Sequence, residues 1–135
     1  MRKLTSPTGR YLLDTNIIIA LLASDKAVKE HLISIKEVFL PSIAIGELYY
    51  GAYRSSRRDE NIKRIDKLVK GNNVLVCNTR TAQEYGLIKG RLSEKGRPIP
   101  ENDIWIAALA SSNNLIVVTR DEHFKYVEGL QIEMW

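Results

Sequence analysis

Short apolar runs alternate with longer amphipathic segments along this chain, and that alternation restricts the fold more than any other feature. Each run ends at a polar or structure-breaking residue, such as Asp14 after the first and Pro41 after the second. Continuous apolar runs of this length are typical of strands buried on both faces. The predicted strands are residues 11–13, 38–40, 74–76, 115–118 and 130–134.

Helical patterns fill the segments between these strands. Helices are predicted over residues 17–23, from an N-cap at Ser42 through Ala52, over 61–70, from Thr79 or Thr81 to Gly96, and over 104–110. Strand–helix alternation of this kind favours a parallel sheet with helices on both faces. We therefore expect an α/β fold of three layers, α/β/α, around a parallel five-stranded sheet.

Residues 11–135 are predicted to form one domain, preceded by a basic tail of residues 1–10. A chain of 135 residues matches one domain of ordinary size. One cysteine, Cys77, excludes an intramolecular disulfide, and with His31 and His123 it cannot complete a zinc cluster. The sequence contains neither an apolar run long enough to span a membrane nor the apolar core of a signal peptide. We expect a cytoplasmic protein with no membrane partner.

Four acidic residues fall where a sheet of this kind binds ligands. Asp14 follows the first strand, Asp121 comes just after the fourth, and Glu47 lies in the first turns of the helix after the second. Open parallel sheets bind ligands beyond the carboxyl ends of their strands. Asp103 begins a helix that leads back into the sheet, so it joins the others only if that helix starts at the same edge.

A cluster of four carboxylates predicts a divalent cation. Like charges at close range repel and raise one another's pKa values, which costs stability unless a cation lies among them. Oxygen ligands select hard ions such as Mg²⁺ or Mn²⁺, and such ions promote attack at a phosphodiester. A net charge of +4 is compatible with a polyanionic partner. Neither histidine has an evident catalytic partner in the sequence.

Each acid also has a structural interpretation. Asp14 and Asp103 are both suitable helix N-caps, and Asp121 is a common type of turn residue. Glu47 lies in an otherwise apolar stretch, although an exposed Glu is common on an amphipathic helix. The functional prediction therefore depends on the placement of all four acids together.

Four segments in this order resemble the PIN-domain nucleases, and most of all their VapC-type toxin branch. They are Leu-Leu-Asp-Thr-Asn at 12–16, Glu-Leu-Tyr-Tyr-Gly-Ala at 47–52, Pro-Glu-Asn-Asp-Ile-Trp-Ile-Ala-Ala at 100–108 and Val-Thr-Arg-Asp-Glu-His-Phe at 118–124. The closing residues 127–132 are also typical of that branch. The resemblance runs from about residue 11 to the end, and residues 1–10 are longer than the segment that usually precedes the first strand.

The resemblance implies a PIN-like fold and metal-dependent cleavage of single-stranded RNA, with Mg²⁺ or Mn²⁺ as the cofactor. By matching position, the catalytic and metal-binding acids are Asp14, Glu47, Asp103 and Asp121. Thr15, Asn16 and Thr119 fall where the family places polar groups that orient those acids, and Glu101 is an additional or substitute ligand to consider. A homodimer and a cognate antitoxin that blocks the metal site are further implications.

Basic residues near the predicted acidic edge favour RNA binding, since arginine and lysine contact the phosphate backbone. The candidates are Arg54, Arg57, Arg58, Arg97 and Arg120. The alternative for each is an ordinary surface ion pair. The same helix carries three tyrosines, Tyr49, Tyr50 and Tyr53, which could stack on unpaired bases. We favour the alternative that they line a helix packing face or a dimer interface.

Two other functions stay open at this point. One is a housekeeping RNA-processing nuclease without an antitoxin. The other is a non-catalytic protein that binds RNA or a protein partner, although such a protein has no reason to keep four mutually repelling acids. A phosphoacceptor receiver domain is disfavoured because Asp14 has no acidic neighbour, and a haloacid-dehalogenase-type phosphatase because Asn16 replaces the second aspartate.

Overall fold

The structure, a computed structural model, describes residues 9–135. The predicted basic tail lies outside the described residues except for Gly9 and Arg10, and Arg10 already belongs to the first strand. The strands are β1 (Arg10–Leu13), β2 (Glu37–Pro41), β3 (Asn73–Leu75), β4 (Ile116–Thr119) and β5 (Ile132–Met134). The helices are α1 (Thr15–Leu22), α2 (Lys26–Ile33), α3 (Ser42–Arg54), α4 (Arg58–Lys70), α5 (Thr79–Glu94) and α6 (Glu101–Asn113), and a short 3₁₀ helix, η1 (Glu122–Tyr126), follows β4.

All strand pairs are parallel, and the strand order is β3-β2-β1-β4-β5. The chain therefore builds the sheet outward from β1 in one direction, then returns to the other side of β1 with β4. This reversal makes the carboxyl ends of β1 and β4 the switch point of the sheet, where open α/β folds bind ligands. The predicted parallel five-stranded α/β fold is confirmed.

Two apolar cores cover the two faces of the sheet because successive strand residues point to opposite sides. Tyr11 and Leu13 of β1 pack with α1 to α4, whereas Leu12 between them packs with α5 and α6. Phe124 of η1 completes the second core. Within the described residues, no helix is both long and apolar enough to cross a membrane.

The helix boundaries correct several details of the sequence prediction. Helix α2 is an additional element, with one buried residue, Val28, so that its apolar pattern is too short to be evident. Ser42 is not the N-cap of α3: β2 continues through Pro41, whose extended backbone occupies the cap position. Asn78 rather than a threonine caps α5, in a reciprocal capping box with Thr81.

Candidate active site

A cavity of about 530 Å³ opens at the carboxyl ends of β1 and β4. All four predicted acids contribute to its wall. The lining residues are Asp14, Thr15, Asn16, Ile19, Glu47, Pro100, Glu101, Asn102, Asp103, Asp121 and His123. Since α6 begins at this edge of the sheet, the condition for including Asp103 is met.

Asp14 is the buried centre of this wall, with 2% of its surface exposed. It immediately follows β1 and is the N-cap of α1, so the capping interpretation and the functional one describe the same residue. Its Oδ1 accepts a hydrogen bond from the Thr15 N–H at 2.8 Å, and its Oδ2 accepts one from the Thr119 hydroxyl at 2.8 Å. Both donors are neutral, and burial raises the Asp14 pKa to about 6, with Asp103 and Asp121 adding to the rise.

Two polar side chains hold Asp121, and one of them, Thr119, also binds Asp14. Thr119, fully buried at the end of β4, donates to Asp14 and accepts the backbone N–H of Asp121 at 2.9 Å. Asn16 donates its side-chain N–H to Asp121 Oδ2 at 3.1 Å. These contacts are the kind expected of groups that orient metal-binding carboxylates.

Asp103 lies in the first turn of α6 and faces the cavity. It is not the N-cap of this helix, because Pro100 occupies that position and Glu101 begins the helix. Burial raises the Asp103 pKa, and the hydrogen bond from His123 opposes that rise. The Nε2 atom of His123 lies 2.5 Å from Asp103 Oδ2 and 4.0 Å from Asp121 Oδ2.

His123 is a site residue that the sequence reasoning missed. Among the described residues, its ring nitrogen and carboxylate oxygens of Asp103 and Asp121 form a group within 4.8 Å of one another, a spacing compatible with one metal ion. The available signal was its position two residues after Asp121. That signal was insufficient because the turn of η1, which folds the imidazole back toward α6, was not predicted.

Glu47 lies at a different part of the wall. It belongs to the exposed side of α3, and its Oε1 accepts a hydrogen bond from the Thr15 hydroxyl at 2.9 Å. Thr15 therefore contacts two acids, Asp14 through its backbone and Glu47 through its side chain. Glu47 lines the cavity without belonging to the close group around His123.

Glu101 already has a partner on the neighbouring helix. Lys89 of α5 lies 3.2 Å from each of its carboxylate oxygens and also donates to the Tyr85 hydroxyl at 3.1 Å. This ion pair holds Glu101 toward α5, although the residue still lines the cavity. Its negative charge is therefore compensated, unlike that of Asp14.

The donor set of this site suits a divalent cation. Carboxylate oxygens from the β1–α1 junction, α3, α6 and the β4–η1 loop surround one cavity, and carboxylates bind Mg²⁺ and Mn²⁺. The imidazole of His123 adds a nitrogen donor, which Mn²⁺ accepts more readily than Mg²⁺ does. An arrangement of this kind can bind a phosphate group through a cation and stabilise charge on its oxygens.

All five arginines predicted to bind RNA are exposed, and four of them make only a single polar or ring contact each among those given below. Arg54 donates to the Tyr50 hydroxyl at 3.0 Å, Arg57 lies 4.0 Å from a Glu60 oxygen, and Arg58 donates to the Tyr53 carbonyl at 2.9 Å. The guanidinium of Arg97 lies 4.7 Å from the centre of the Tyr126 ring. Arg120 differs, since Asp25 and the main-chain oxygen of Trp135 bind its guanidinium.

Comparison with known proteins agrees with the family resemblance found in the sequence. The family model described as "PIN domain" matches residues 11–130. The protein "Ribonuclease VapC1" of Haemophilus influenzae (strain R2866) is 35% identical, with 93% of this chain and 97% of the relative covered. The "tRNA(fMet)-specific endonuclease VapC" of Shigella flexneri is 32% identical, with 93% and 98% covered. The solved structure of DNA-bound VapBC from Salmonella typhimurium is 30% identical, with a TM-score of 0.88 and coverage of 95% and 99%.

Proposed function

The chain belongs to the PIN-domain family, and from that premise we propose that it is a metal-dependent endoribonuclease that cleaves single-stranded RNA. We further propose that it is the toxin of a toxin–antitoxin pair. The observation that carries the proposal is the acidic cavity at the switch point of the sheet, in which Thr119 and Asn16 orient the carboxylates. Similarity to proteins named VapC ribonucleases supports RNA as the substrate.

Asp14, Glu47, Asp103 and Asp121 are the proposed catalytic and metal-binding residues. Asp14 is held by two hydrogen bonds, so its carboxylate is oriented before any ligand arrives. Thr15, Asn16 and Thr119 keep Glu47, Asp121 and Asp14 in place, because each donates a hydrogen bond to the acid it orients. Rigid side chains of this kind reduce the reorganisation needed in the transition state.

Mg²⁺ or Mn²⁺ is the proposed cofactor, held mainly by carboxylate oxygens. When bound, such an ion supplies Lewis-acid stabilisation of the negative charge on the reacting phosphate. The residues themselves bind and orient, and the burial of Asp14 away from water strengthens the electrostatic interactions it makes.

The proposed RNA-binding surface consists of four exposed arginines that do not line the cavity. Arg54 ends α3, the helix that carries Glu47, and Arg57 and Arg58 follow at the start of α4. Arg97 precedes α6. Few groups bind their guanidinium nitrogens, which leaves these nitrogens accessible to phosphate oxygens. Binding through these groups should weaken as salt increases.

The proposed partners are a cognate antitoxin and a second copy of the chain. A basic antitoxin side chain would neutralise the uncompensated acids of the cavity, which explains how a small protein could block the site. Tyr50 and Tyr53 are 62% and 55% exposed on α3, which supports the use of this helix in a homodimer. A site that needs Mg²⁺ or Mn²⁺ and RNA is consistent with a cytoplasmic location.

RNA cleavage by the purified protein tests the proposed function. We expect cleavage of single-stranded RNA in Mn²⁺ or Mg²⁺, and loss of cleavage in a chelator and in Asp14→Asn. A matched control is Glu37→Gln, which makes the same chemical change in an exposed acid of β2. Cleavage that survives in the chelator or in Asp14→Asn would overturn the proposal.

A further inference from the structure

Arg120 lies between two residues of the acidic site, yet its side chain does not face the cavity. Thr119 on one side bonds to Asp14, and Asp121 on the other side is a proposed metal ligand. Arg120 is absent from the residues that line the cavity. An arginine at this position was expected to bind RNA, so the contacts that it makes instead need an explanation.

The guanidinium of Arg120 connects two distant parts of the chain. Its Nη2 lies 3.1 Å from Asp25 Oδ2, in the turn between α1 and α2. Its Nε donates to the main-chain oxygen of Trp135 at 2.8 Å, just after β5. The planar guanidinium can make both contacts at once because its N–H groups project in fixed directions.

Both anchors of Arg120 are held by further contacts. Asp25 is the N-cap of α2 and accepts the Val28 N–H at 3.2 Å. That bond and then the contact with Arg120 keep the Asp25 pKa below its usual range. The Trp135 ring stacks on His31 with 4.8 Å between ring centres and lies 5.9 Å from Tyr11. The guanidinium is therefore bound to well-placed parts of the scaffold.

The backbone of Arg120 connects its anchored side chain to the site through a hydrogen bond to Asn16. The Arg120 N–H donates to the side-chain oxygen of Asn16 at 3.3 Å. The side-chain nitrogen of the same Asn16 donates to Asp121 Oδ2 at 3.1 Å. The side chain of Asp121 is 48% exposed, so packing alone leaves it much freedom. The anchored side chain of Arg120 therefore adds a restraint on the loop that carries this acid, beside the hydrogen bonds that join Asp121 to Thr119 and Asn16.

We propose that Arg120 is a positioning residue that fixes Asp121 in the metal site by anchoring the β4–η1 loop to Asp25 and Trp135. It is not a phosphate ligand in this view. The inference rests on the proposed nuclease function, and it assigns Arg120 a role different from that of Arg54, Arg57, Arg58 and Arg97.

The first test compares Arg120→Lys and Arg120→Ala at saturating Mn²⁺. Lysine keeps the charge but has no planar fork to bridge both anchors. We expect both variants to lower kcat about 10- to 100-fold, the usual effect of groups that support metal ligands, with little change in KM for RNA. If Arg120 instead binds phosphate, Arg120→Ala would raise KM and Arg120→Lys would retain most activity, and this result would overturn the proposal.

The matched control is Arg10→Lys. Arg10 makes the same pair of contacts at the other end of the sheet: its Nε bonds to Glu37 Oε2 at 2.9 Å and its Nη1 to the Asn113 carbonyl at 3.2 Å. This substitution removes equivalent bonds far from the acids, so we expect unchanged kcat. An equal loss of kcat in Arg10→Lys would show that any weakened anchor has the same effect, which contradicts a specific role for Arg120.

A second variant approaches the same anchor from its partner. Asp25→Asn keeps a suitable N-cap for α2 but removes the charge that binds Arg120. We expect kcat to fall in the same direction, and the double variant with Arg120→Lys to fall less than the product of the two single effects. Multiplicative effects would mean that the two residues act independently and would overturn the proposed anchor.

Readouts without RNA separate this proposal from the proposed function. Calorimetric titration should show weaker Mn²⁺ binding in Arg120→Lys but not in Arg10→Lys. In the metal-free protein, the Asn16 side-chain amide resonances should shift in Arg120→Lys, because this amide contacts Asp121. Unchanged resonances would overturn the positioning role even if the wild type cleaves RNA. A wild type that binds Mn²⁺ but cleaves no RNA would instead count against the nuclease assignment.

Discussion

The two ends of the parallel sheet differ in how their acidic side chains are paired. At the amino end, Arg10 binds Glu37 at 2.9 Å, and both side chains are about half exposed. At the carboxyl end, the carboxylate of buried Asp14 accepts hydrogen bonds from Thr15 and Thr119, both neutral donors, and two further acids lie near enough to raise its pKa. Glu37 at the amino end is paired with a cation, whereas Asp14 at the carboxyl end is buried near two further acids.

This difference shows which end is adapted for stability and which for function. An exposed ion pair contributes little, but it also costs little. Burying Asp14 beside Asp103 and Asp121 disfavours the charged form in the metal-free protein. A fold tolerates such a site when a cation compensates it, so perturbing each end separately should affect different properties.

The largest expected effect is on cleavage. Asp14→Asn keeps the size of the side chain and an oxygen that can accept the Thr15 N–H, but it removes the central negative charge. We expect at least a 100-fold loss of RNA cleavage, since groups that only support metal ligands already cost 10- to 100-fold. Cleavage rate per folded protein, with circular dichroism as the check on folding, measures this. Activity within tenfold of wild type would remove Asp14 from the metal site.

The pH dependence of stability should reveal the buried acid next. The pKa of Asp14 is raised from 3.8 to about 6 in the folded protein, so the unfolded chain loses its proton first as pH rises. Folding stability linked to Asp14 is therefore lost between about pH 4 and pH 6, by up to about 3 kcal/mol. Denaturant unfolding of metal-free wild type and Asp14→Asn across this range should give a difference with that slope. A pH-independent difference would mean that Asp14 is not buried as a carboxyl group.

Metal binding should reverse part of this cost. A cation that binds only the folded protein adds about 2.7 kcal/mol at a concentration 100 times its Kd, and this should raise Tm by several degrees. The rise should disappear in Asp103→Asn, because Asp103 belongs to the close group with Asp121 and His123. A thermal melt in Mn²⁺ measures it. An equal rise in Asp103→Asn would place the ion elsewhere.

The sequence was sufficient to predict the acids because topology places them. Asp14 and Asp121 follow adjacent strands, and a parallel sheet brings the carboxyl ends of its strands to one edge. The roles of His123 and Arg120 could not be predicted in the same way. Both depend on how the β4–η1 loop turns: it brings His123 to Asp103 and directs Arg120 to Asp25. Such contacts join residues far apart in sequence, and no local pattern reports them.

The smallest expected effect comes from the amino end of the sheet. Glu37→Gln removes the partner of Arg10, but both side chains are solvated, so we expect the unfolding free energy to fall by less than about 1 kcal/mol. The effect should diminish at high salt because salt screens exposed charges, and denaturant unfolding at two salt concentrations measures it. Cleavage and Mn²⁺ affinity should stay at the wild-type level. If Glu37→Gln reduced cleavage and Mn²⁺ affinity as Asp14→Asn does, the two ends of the sheet would be coupled through β1. The paired acid at the amino end would then affect function as well as stability.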